Sequence, residues 1–153
     1  MTDGDPDFVG AKAVLLCVDR VLVYQRDDFA GLPWAGLWDL PGGGREGNES
    51  AQACVLREIA EEFGLALPER RLLLRQELPS MADPARASWL FGGWLDEAEI
   101  AAIRFGDEGQ RWEMMSVAGF MAHGAAIPEM QRRVGLVWSA LGRGAKCITG
   151  PTE

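Results

Sequence analysis

Residues 43–65 read GGREGNESAQACVLREIAEEFGL, a pattern that predicts one amphipathic helix following a glycine-rich segment. Side chains three and four positions apart are neighbours on a helix, so Glu58, Glu61 and Glu62 share one face. The opposite face is apolar and predicts packing on a core, since it carries Cys54, Val55, Ile59 and Phe63. Like charges at this spacing cost roughly 0.2–0.5 kcal/mol per pair. A divalent cation that prefers oxygen ligands, such as Mg²⁺, would offset this repulsion and bridge the carboxylates to a phosphate.

Three glutamates alone would be interpreted as a solvated helix face, but the segment before the helix favours a ligand site. Residues 40–44 read LPGGG and follow a strand-like run. Such a loop lets backbone approach a ligand closely and offers carbonyl or N–H groups to it. Ser50 is expected to cap the helix, and Gly64 is expected to end it.

The spacing of these residues resembles the Nudix box. The matching positions are Gly43, Glu49, Arg57, Glu58, Ile59, Glu61, Glu62, Gly64 and Leu65. Similarity over most of the remaining chain is closest to the MutT-like branch of nucleoside triphosphate pyrophosphohydrolases. The resemblance implies an α/β/α sandwich with a central mixed sheet and two main helices. It also implies metal-dependent hydrolysis of a nucleoside diphosphate that is linked to another group.

The resemblance also implies a metal site. Glu58, Glu61 and Glu62 match the carboxylates that hold catalytic Mg²⁺, for which Mn²⁺ can substitute, and a backbone carbonyl of Gly42 or Gly43 would complete part of the shell. Glu108 lies in a segment similar to the MutT-like region that delivers a further acidic ligand.

Catalytic roles are implied by the same match. Glu58 or Glu61 would act as the general base, and Arg57 would orient the catalytic glutamates. Glu49, at the start of the helix, is the expected ion-pair partner of Arg57 and would have a structural role that positions the arginine.

Four further positions are expected to bind substrate. Arg26 matches an arginine near the nucleobase pocket of MutT-like enzymes. Leu40 precedes Pro-Gly-Gly, where family members place a pocket wall, and Asp39 lies beside it. Gly43 belongs to the glycine segment itself.

The substrate stays open at this point. The MutT-like similarity favours a nucleoside triphosphate that is cleaved to a monophosphate and pyrophosphate. MutT-like enzymes carry a base-reading asparagine late in the chain, and none is found around residues 127–129. ADP-ribose or a nucleotide-sugar is an alternative, because Pro79 lies near a proline associated with that group. A nucleotide-binding domain without hydrolytic activity is a second alternative, although such domains often lose the carboxylates that this chain keeps.

The length, composition and net charge of the chain indicate which classes of protein it can belong to. The chain has 153 residues and 48% hydrophobic residues, so we expect a single domain with flexible tails at 1–7 and 144–153. A net charge of −8 argues against a duplex nucleic-acid binder, which normally shows a basic stripe. No apolar run reaches the ~18 residues of a membrane span. Three cysteines predict no disulfide framework, with Cys17 and Cys54 as core thiols, and favour the cytoplasm.

The sequence outside residues 43–65 predicts strands before and after the Nudix box. Strands are expected over 11–18, 21–25, 37–40, 71–78, 88–95 and 112–115, and a second long helix is expected over 129–141. Residues 27–36 contain several turn formers and predict a surface loop that reaches the site.

Overall fold

A computed structural model describes residues 7–142 of the chain, which form a mixed seven-stranded sheet covered by helices. The strands are β1 (Phe8–Cys17), β2 (Arg20–Gln25), β3 (Trp38–Asp39), β4 (Gly42–Gly44), β5 (Leu74–Pro79), β6 (Ala87–Trp94) and β7 (Arg111–Ser116). Their main order is β3-β2-β1-β6-β5, with β4 also paired to β1 and β7 also paired to β2. The pair β1–β6 is parallel, whereas β1 runs antiparallel to both β2 and β4.

Helices cover both faces of the sheet. They are α1 (Ala51–Phe63), α2 (Glu97–Ala101), α3 (Val117–Met121) and α4 (Pro128–Leu141), with a short 3₁₀ turn at Glu69–Arg71. One buried cluster joins α1 to the sheet through Ile59 and Phe63, and another joins α4 through Val134 and Val137. The predicted α/β/α sandwich with two main helices is therefore confirmed.

Alternation along β1 explains the two clusters, because successive side chains of a strand point to opposite faces. Ala13 and Leu15 pack in the cluster on the α1 side, whereas Val14 and Leu16 pack on the α4 side. All four side chains are fully buried, so β1 forms the centre of the molecule.

The predicted ends of α1 are confirmed. The Ser50 hydroxyl accepts a 3.1 Å hydrogen bond from the backbone N–H of Ala53. Gly64 adopts a left-handed conformation with φ of 69°, and its N–H donates to the carbonyl of Ala60. These caps fix where α1 begins and ends, and hence which way its acidic face points.

The glycine segment is a strand, which corrects the predicted loop. Gly42 and Gly43 pair with Lys12 and Ala11 of β1. A Cβ atom on Gly42 would lie 2.1 Å from the carbonyl oxygen of Ala11, and its φ is +129°, so only glycine fits there. The sequence pattern of consecutive glycines resembles a turn, but here it permits two backbones to approach closely.

Several other boundaries differ from prediction. The strand expected over 37–40 is reduced to β3, and the one expected over 71–78 begins only at Leu74, after the 3₁₀ turn. The short helices α2 and α3 were not predicted, because their patterns span little more than one turn. In α2, Asp96 and Glu99 form a reciprocal capping box.

Cys17 and Cys54 are both buried, as expected, and Cys54 is a free thiol. Cys147 and the predicted tail at 144–153 lie outside the described residues, as do residues 1–6. Asp7 is described, and it accepts a 2.6 Å hydrogen bond from Arg86. Within the described chain, every helix is too short or too polar to cross a bilayer.

Candidate active site

Glu62 lies on the face of α1 that meets the glycine strand β4. Its Oε1 accepts a 2.9 Å hydrogen bond from the backbone N–H of Gly42, and the residue is only 8% exposed. Burial, reinforced by the nearby charges of Glu58 and Asp39, raises the pKa of the Glu62 carboxyl to about 8. The Lys12 charge and the Gly42 hydrogen bond oppose this rise. Glu62 is therefore a buried acid whose charge is incompletely balanced by the protein.

Glu58 lies one helical turn before Glu62 and presses against the same strand. A Cβ atom built on Gly43 would lie 2.6 Å from Cδ and from Oε2 of Glu58. Gly43 thus leaves the space that the Glu58 carboxylate occupies. Burial raises the pKa of Glu58 as well, against the opposing charge of Arg57. Two neighbouring carboxylates with raised pKa values in one cleft are a common feature of functional sites.

Lys12 of β1 supplies the positive charge beside these acids. Its Nζ donates to Asp39 Oδ2 at 3.1 Å, to the carbonyl of Leu40 at 3.1 Å and to the carbonyl of Gly42 at 3.3 Å. Burial alone would lower the pKa of the ammonium group, but the charges of Asp39, Tyr24 and Glu62 outweigh it and the pKa is raised. Lys12 therefore stays charged and ties β3 to β4.

Asp39 is the acceptor at the centre of a buried network. Besides Lys12, its Oδ2 accepts from Arg26 Nη1 at 3.1 Å and from the Tyr24 hydroxyl at 3.5 Å. Its Oδ1 accepts from the backbone N–H of Leu40 at 2.7 Å. The structure thus brings the predicted residues Arg26, Asp39 and Leu40 together, with Asp39 and Leu40 inside the protein and Leu40 fully buried in the core on the α4 side.

Arg57 joins the start of α1 to its acidic face. The guanidinium donates to both oxygens of Glu49, to the carbonyl of Gly44 at 2.8 Å, to Glu58 Oε2 at 3.2 Å and to Glu61 Oε1 at 3.1 Å. The predicted Arg57–Glu49 ion pair is present in the structure. Its hydrogen bond lowers the pKa of Glu49. Arg57 thereby holds the segment before the helix and the glutamates of the helix in one arrangement.

The other two predicted carboxylates are more exposed than Glu58 and Glu62. The Glu61 side chain is 56% exposed and forms an ion pair with Arg57. Glu108 is exposed and lines a separate cavity of about 230 Å³ together with Arg26 and Tyr24. Over residues 7–142, no three acidic, histidine or cysteine side chains are clustered closely enough to form a metal site by themselves.

The donor set nevertheless suits a hard divalent cation. Glu62 is buried and Glu58 is half-buried, and both carboxylates lie against β4: Glu58 packs on Gly43, and Glu62 Oε1 accepts from the backbone N–H of Gly42. All these ligand atoms are oxygens, which Mg²⁺ and Mn²⁺ prefer, and such ions usually retain waters instead of using an all-protein cage. A cation would relieve the repulsion and desolvation that raise both pKa values.

A larger cavity of about 320 Å³ opens beside β4 on the α4 side of the sheet. Its lining residues come from β1, β4, α4 and the segment around β5 and β6, and they are Val9, Gly10, Ala11, Lys12, Gly43, Gly44, Ser80, Met81, Ala82, Ser88, Met130 and Arg133. Because Gly43 contacts Glu58 and also lines this cavity, a ligand in the cavity would extend from the acidic pair.

The family model for the NUDIX domain matches residues 8–133 of this chain. The chain belongs to the NUDIX family. It is accordingly a hydrolase that acts on pyrophosphate bonds of nucleoside diphosphate derivatives.

Solved Nudix structures share this fold at low sequence identity. A MutT protein from Methanosarcina mazei Go1 is 17% identical, with a TM-score of 0.68 over 91% of this chain and 98% of that one. The NUDIX domain of NrtR from Shewanella oneidensis, complexed with ADP ribose, is 19% identical, with a TM-score of 0.63 over 92% and 90% of the two chains.

A longer protein also matches. A bifunctional NMN adenylyltransferase/ADP ribose pyrophosphatase from Francisella tularensis, complexed with AMP and a Mn ion, is 19% identical with a TM-score of 0.66. The match covers 88% of this chain, which spans 42% of that protein's length.

Sequence reasoning missed four polar residues of this Nudix chain, namely Lys12, Ser80, Ser88 and Arg133. Two of them carry a recognisable signal. Lys12 is the only charge in the apolar run of β1, and Arg133 falls on the apolar face of α4 between Met130 and Val137. An isolated cation within an apolar pattern indicates a buried, paired charge.

Proposed function

We propose that this chain is a Mg²⁺-dependent pyrophosphohydrolase that cleaves a nucleoside triphosphate to a nucleoside monophosphate and pyrophosphate by attack of water. The observation that supports this most directly is that half-buried Glu58 and buried Glu62 lie side by side against β4, at the border of a cavity of about 320 Å³. The phosphates would lie at the acidic pair and the nucleoside in the cavity. The reactants are small molecules, in keeping with the net charge of −8, which argues against a duplex nucleic-acid substrate.

Glu58 and Glu62, with backbone carbonyls of Gly42 or Gly43, would hold the Mg²⁺ ions, and Glu61 and Glu108 are further candidate ligands. When bound, the ions would neutralise phosphate charge and lower the pKa of a coordinated water. Mn²⁺ should support the same reaction, since it also favours oxygen ligands.

The chain's own residues would position and deprotonate the attacking water. Glu58 or Glu61 would accept its proton, since both lie on the same face of α1 as Glu62 and both accept hydrogen bonds from Arg57. Arg57 would fix these carboxylates and, through Glu49 and the Gly44 carbonyl, the strand they face. The water oxygen bonds to a phosphorus of the triphosphate as the bridging P–O bond breaks between the nucleoside monophosphate and the pyrophosphate. No covalent intermediate with the protein is required.

A nucleotide panel tests this proposal. The purified chain is incubated with nucleoside triphosphates, ADP-ribose and nucleotide-sugars, with and without Mg²⁺, and the products are separated. Metal-dependent formation of monophosphate and pyrophosphate from triphosphates is the expected result. Cleavage of ADP-ribose to AMP and ribose 5-phosphate, with triphosphates untouched, would replace the proposed substrate class. Nucleotide binding without turnover of any compound would overturn the hydrolytic proposal.

A further inference from the structure

Arg133 of α4 is a buried cation with unused hydrogen-bonding capacity. The residue is 2% exposed. Its Nε donates to Glu129 Oε2 at 2.9 Å, and its Nη2 donates to the carbonyl of Pro79 and to Ser88 Oγ, both at 3.2 Å. Nη1 donates no hydrogen bond to any group of residues 7–142, although Arg133 lines the cavity of about 320 Å³. A buried, unpaired donor costs roughly 1–3 kcal/mol, so a ligand is expected to supply its acceptor.

Ser80 presents a second polar group in the same cavity. It is 4% exposed, and its backbone N–H donates to the carbonyl of Arg86 at 2.8 Å. Its hydroxyl has no hydrogen-bond partner in the described part of the chain, and Ser80 also lines the cavity. The cavity therefore contains two buried polar groups, and we expect its ligand to carry hydrogen-bonding atoms.

Lys12, the other cation of the cavity wall, cannot serve this ligand without breaking existing bonds. An ammonium group has three N–H donors, and Lys12 gives them to Asp39 and to the carbonyls of Leu40 and Gly42. Arg133 is thus the cavity cation with donors to spare. The remaining wall is largely apolar and includes Val9, Ala11, Met81, Ala82 and Met130, which suits the flat face of a nucleobase.

We propose that Arg133, assisted by Ser80, is a specificity-determining residue that selects a 6-oxopurine base, such as guanine, over adenine. This inference rests on the proposed function. Because Nε and Nη2 are already bonded, Nη1 is the nitrogen free to donate, and the O6 of guanine is an acceptor suited to it. Adenine places an amino donor where guanine has O6, so the fixed cation would face a donor. Serine both donates and accepts, so Ser80 adds affinity while Arg133 supplies the discrimination.

The test compares GTP, ITP and ATP as substrates and GMP and AMP as ligands. ITP keeps O6 and N7 but lacks the 2-amino group of guanine, so it is expected to behave like GTP. For the wild-type chain, kcat/KM for GTP and ITP should exceed that for ATP by roughly 10- to 150-fold, the effect of one hydrogen bond from a charged group, mostly through KM. GMP should bind more tightly than AMP by calorimetry, a measurement that requires no turnover.

Variants then locate the source of the preference. Arg133→Lys keeps a cation beside Glu129 but removes the free amino group, and is expected to bring the GTP/ATP ratio close to one. Ser80→Ala should weaken both nucleotides modestly. Arg132→Lys is the matched control, because Arg132 also bonds to Glu129 but its side chain is 52% exposed, so the ratio should not change. Thermal unfolding of each variant verifies that it is folded.

The outcomes separate this inference from the proposed function. Equal wild-type affinity for GMP and AMP, or an unchanged GTP/ATP ratio in a folded Arg133→Lys variant, would overturn base selection and leave hydrolysis intact. The GMP and AMP affinities of the wild-type chain test base selection without any variant, so this test remains even if the Arg133→Lys protein does not fold. Arg133-dependent binding of GMP without hydrolysis of any triphosphate would instead overturn the proposed function alone.

Discussion

The backbone N–H of Gly42 donates a 2.9 Å hydrogen bond to the side chain of Glu62, which joins the glycine strand to the acidic face of α1. The bond depends on the pairing of β4 with β1, because that pairing sets the position of the Gly42 backbone. It holds a carboxylate in place that burial would otherwise disfavour. The site is therefore built jointly by a helix and a strand that are about 20 residues apart in the chain.

Glu62→Gln tests whether this carboxylate is essential. The amide oxygen of glutamine can still accept from Gly42, so the fold should be retained, but the negative charge is lost. We expect turnover to fall by more than about 100-fold, since even residues that only support metal ligands change activity by about 10- to 100-fold. Steady-state kinetics and thermal unfolding measure the two effects. Glu77→Gln, at an exposed position of β5, is the control, and near-normal turnover of Glu62→Gln would remove Glu62 from the site.

Gly43→Ala tests the contact between β4 and Glu58. The new methyl group would meet the Glu58 carboxylate at 2.6 Å, and because that group ends a flexible side chain, the chain can move aside. We expect a small loss of stability with a reduction of kcat of roughly 10-fold or more, as for displaced catalytic groups. Gly124→Ala is the control, since nothing lies within 4 Å of its Cβ position. An unchanged kcat in Gly43→Ala would show that Glu58 does not need its present position.

Helix α1 was predictable because the sequence features that define it are local. Ser50 and Gly64 end α1 as expected, and the alternation of Glu58 and Glu62 with Ile59 and Phe63 fixes which face meets the core. These features depend on residues within one or two helical turns, so a single sequence contains them in full.

The rest of the site depends on tertiary pairing. Lys12 reaches Asp39 and Gly42 only because β4 pairs with β1 and because β2, the other partner of β1, pairs with β3. The sequence around Lys12 does not indicate those partners. The glycine segment was assigned to a loop because its close approach to β1 cannot be seen without the register. The cavity that Arg133 lines could not be predicted, because its wall comes from strands and a helix that are far apart in the chain.

Arg57→Lys tests the arginine that joins Glu49 to the acidic face. Lysine keeps the charge but cannot reach Glu49, the Gly44 carbonyl and Glu61 together, as the planar guanidinium does. We expect activity to fall by about 10- to 100-fold with a modest loss of thermal stability. Arg132→Lys, an exposed pair with Glu129, should change neither quantity. Equal activity of Arg57→Lys and wild type would show that charge alone suffices at this position.

Glu62 also makes the stability of the metal-free protein depend on pH. Its pKa is raised from 4.5 to about 8 on folding, so the folded state binds this proton more tightly than the unfolded state. The resulting stabilisation is complete below the unfolded value and is lost as pH rises through about 8, the folded value. With chelator present, the free energy of unfolding should therefore decline between these limits, at about 1.4 kcal/mol for each unit of pKa difference.

Denaturant unfolding across this pH range measures the decline. Glu62→Gln has no proton to lose at this position, so its curve should be flatter and the variant should exceed wild type in stability at the alkaline end. Glu77→Gln should retain the wild-type slope. Added Mg²⁺ should stabilise wild type most at alkaline pH, because the ion binds the deprotonated carboxylates of the folded state. If Glu62→Gln and wild type lost stability in parallel, the titrating group would lie elsewhere, and the Glu62 carboxylate would already be charged at low pH.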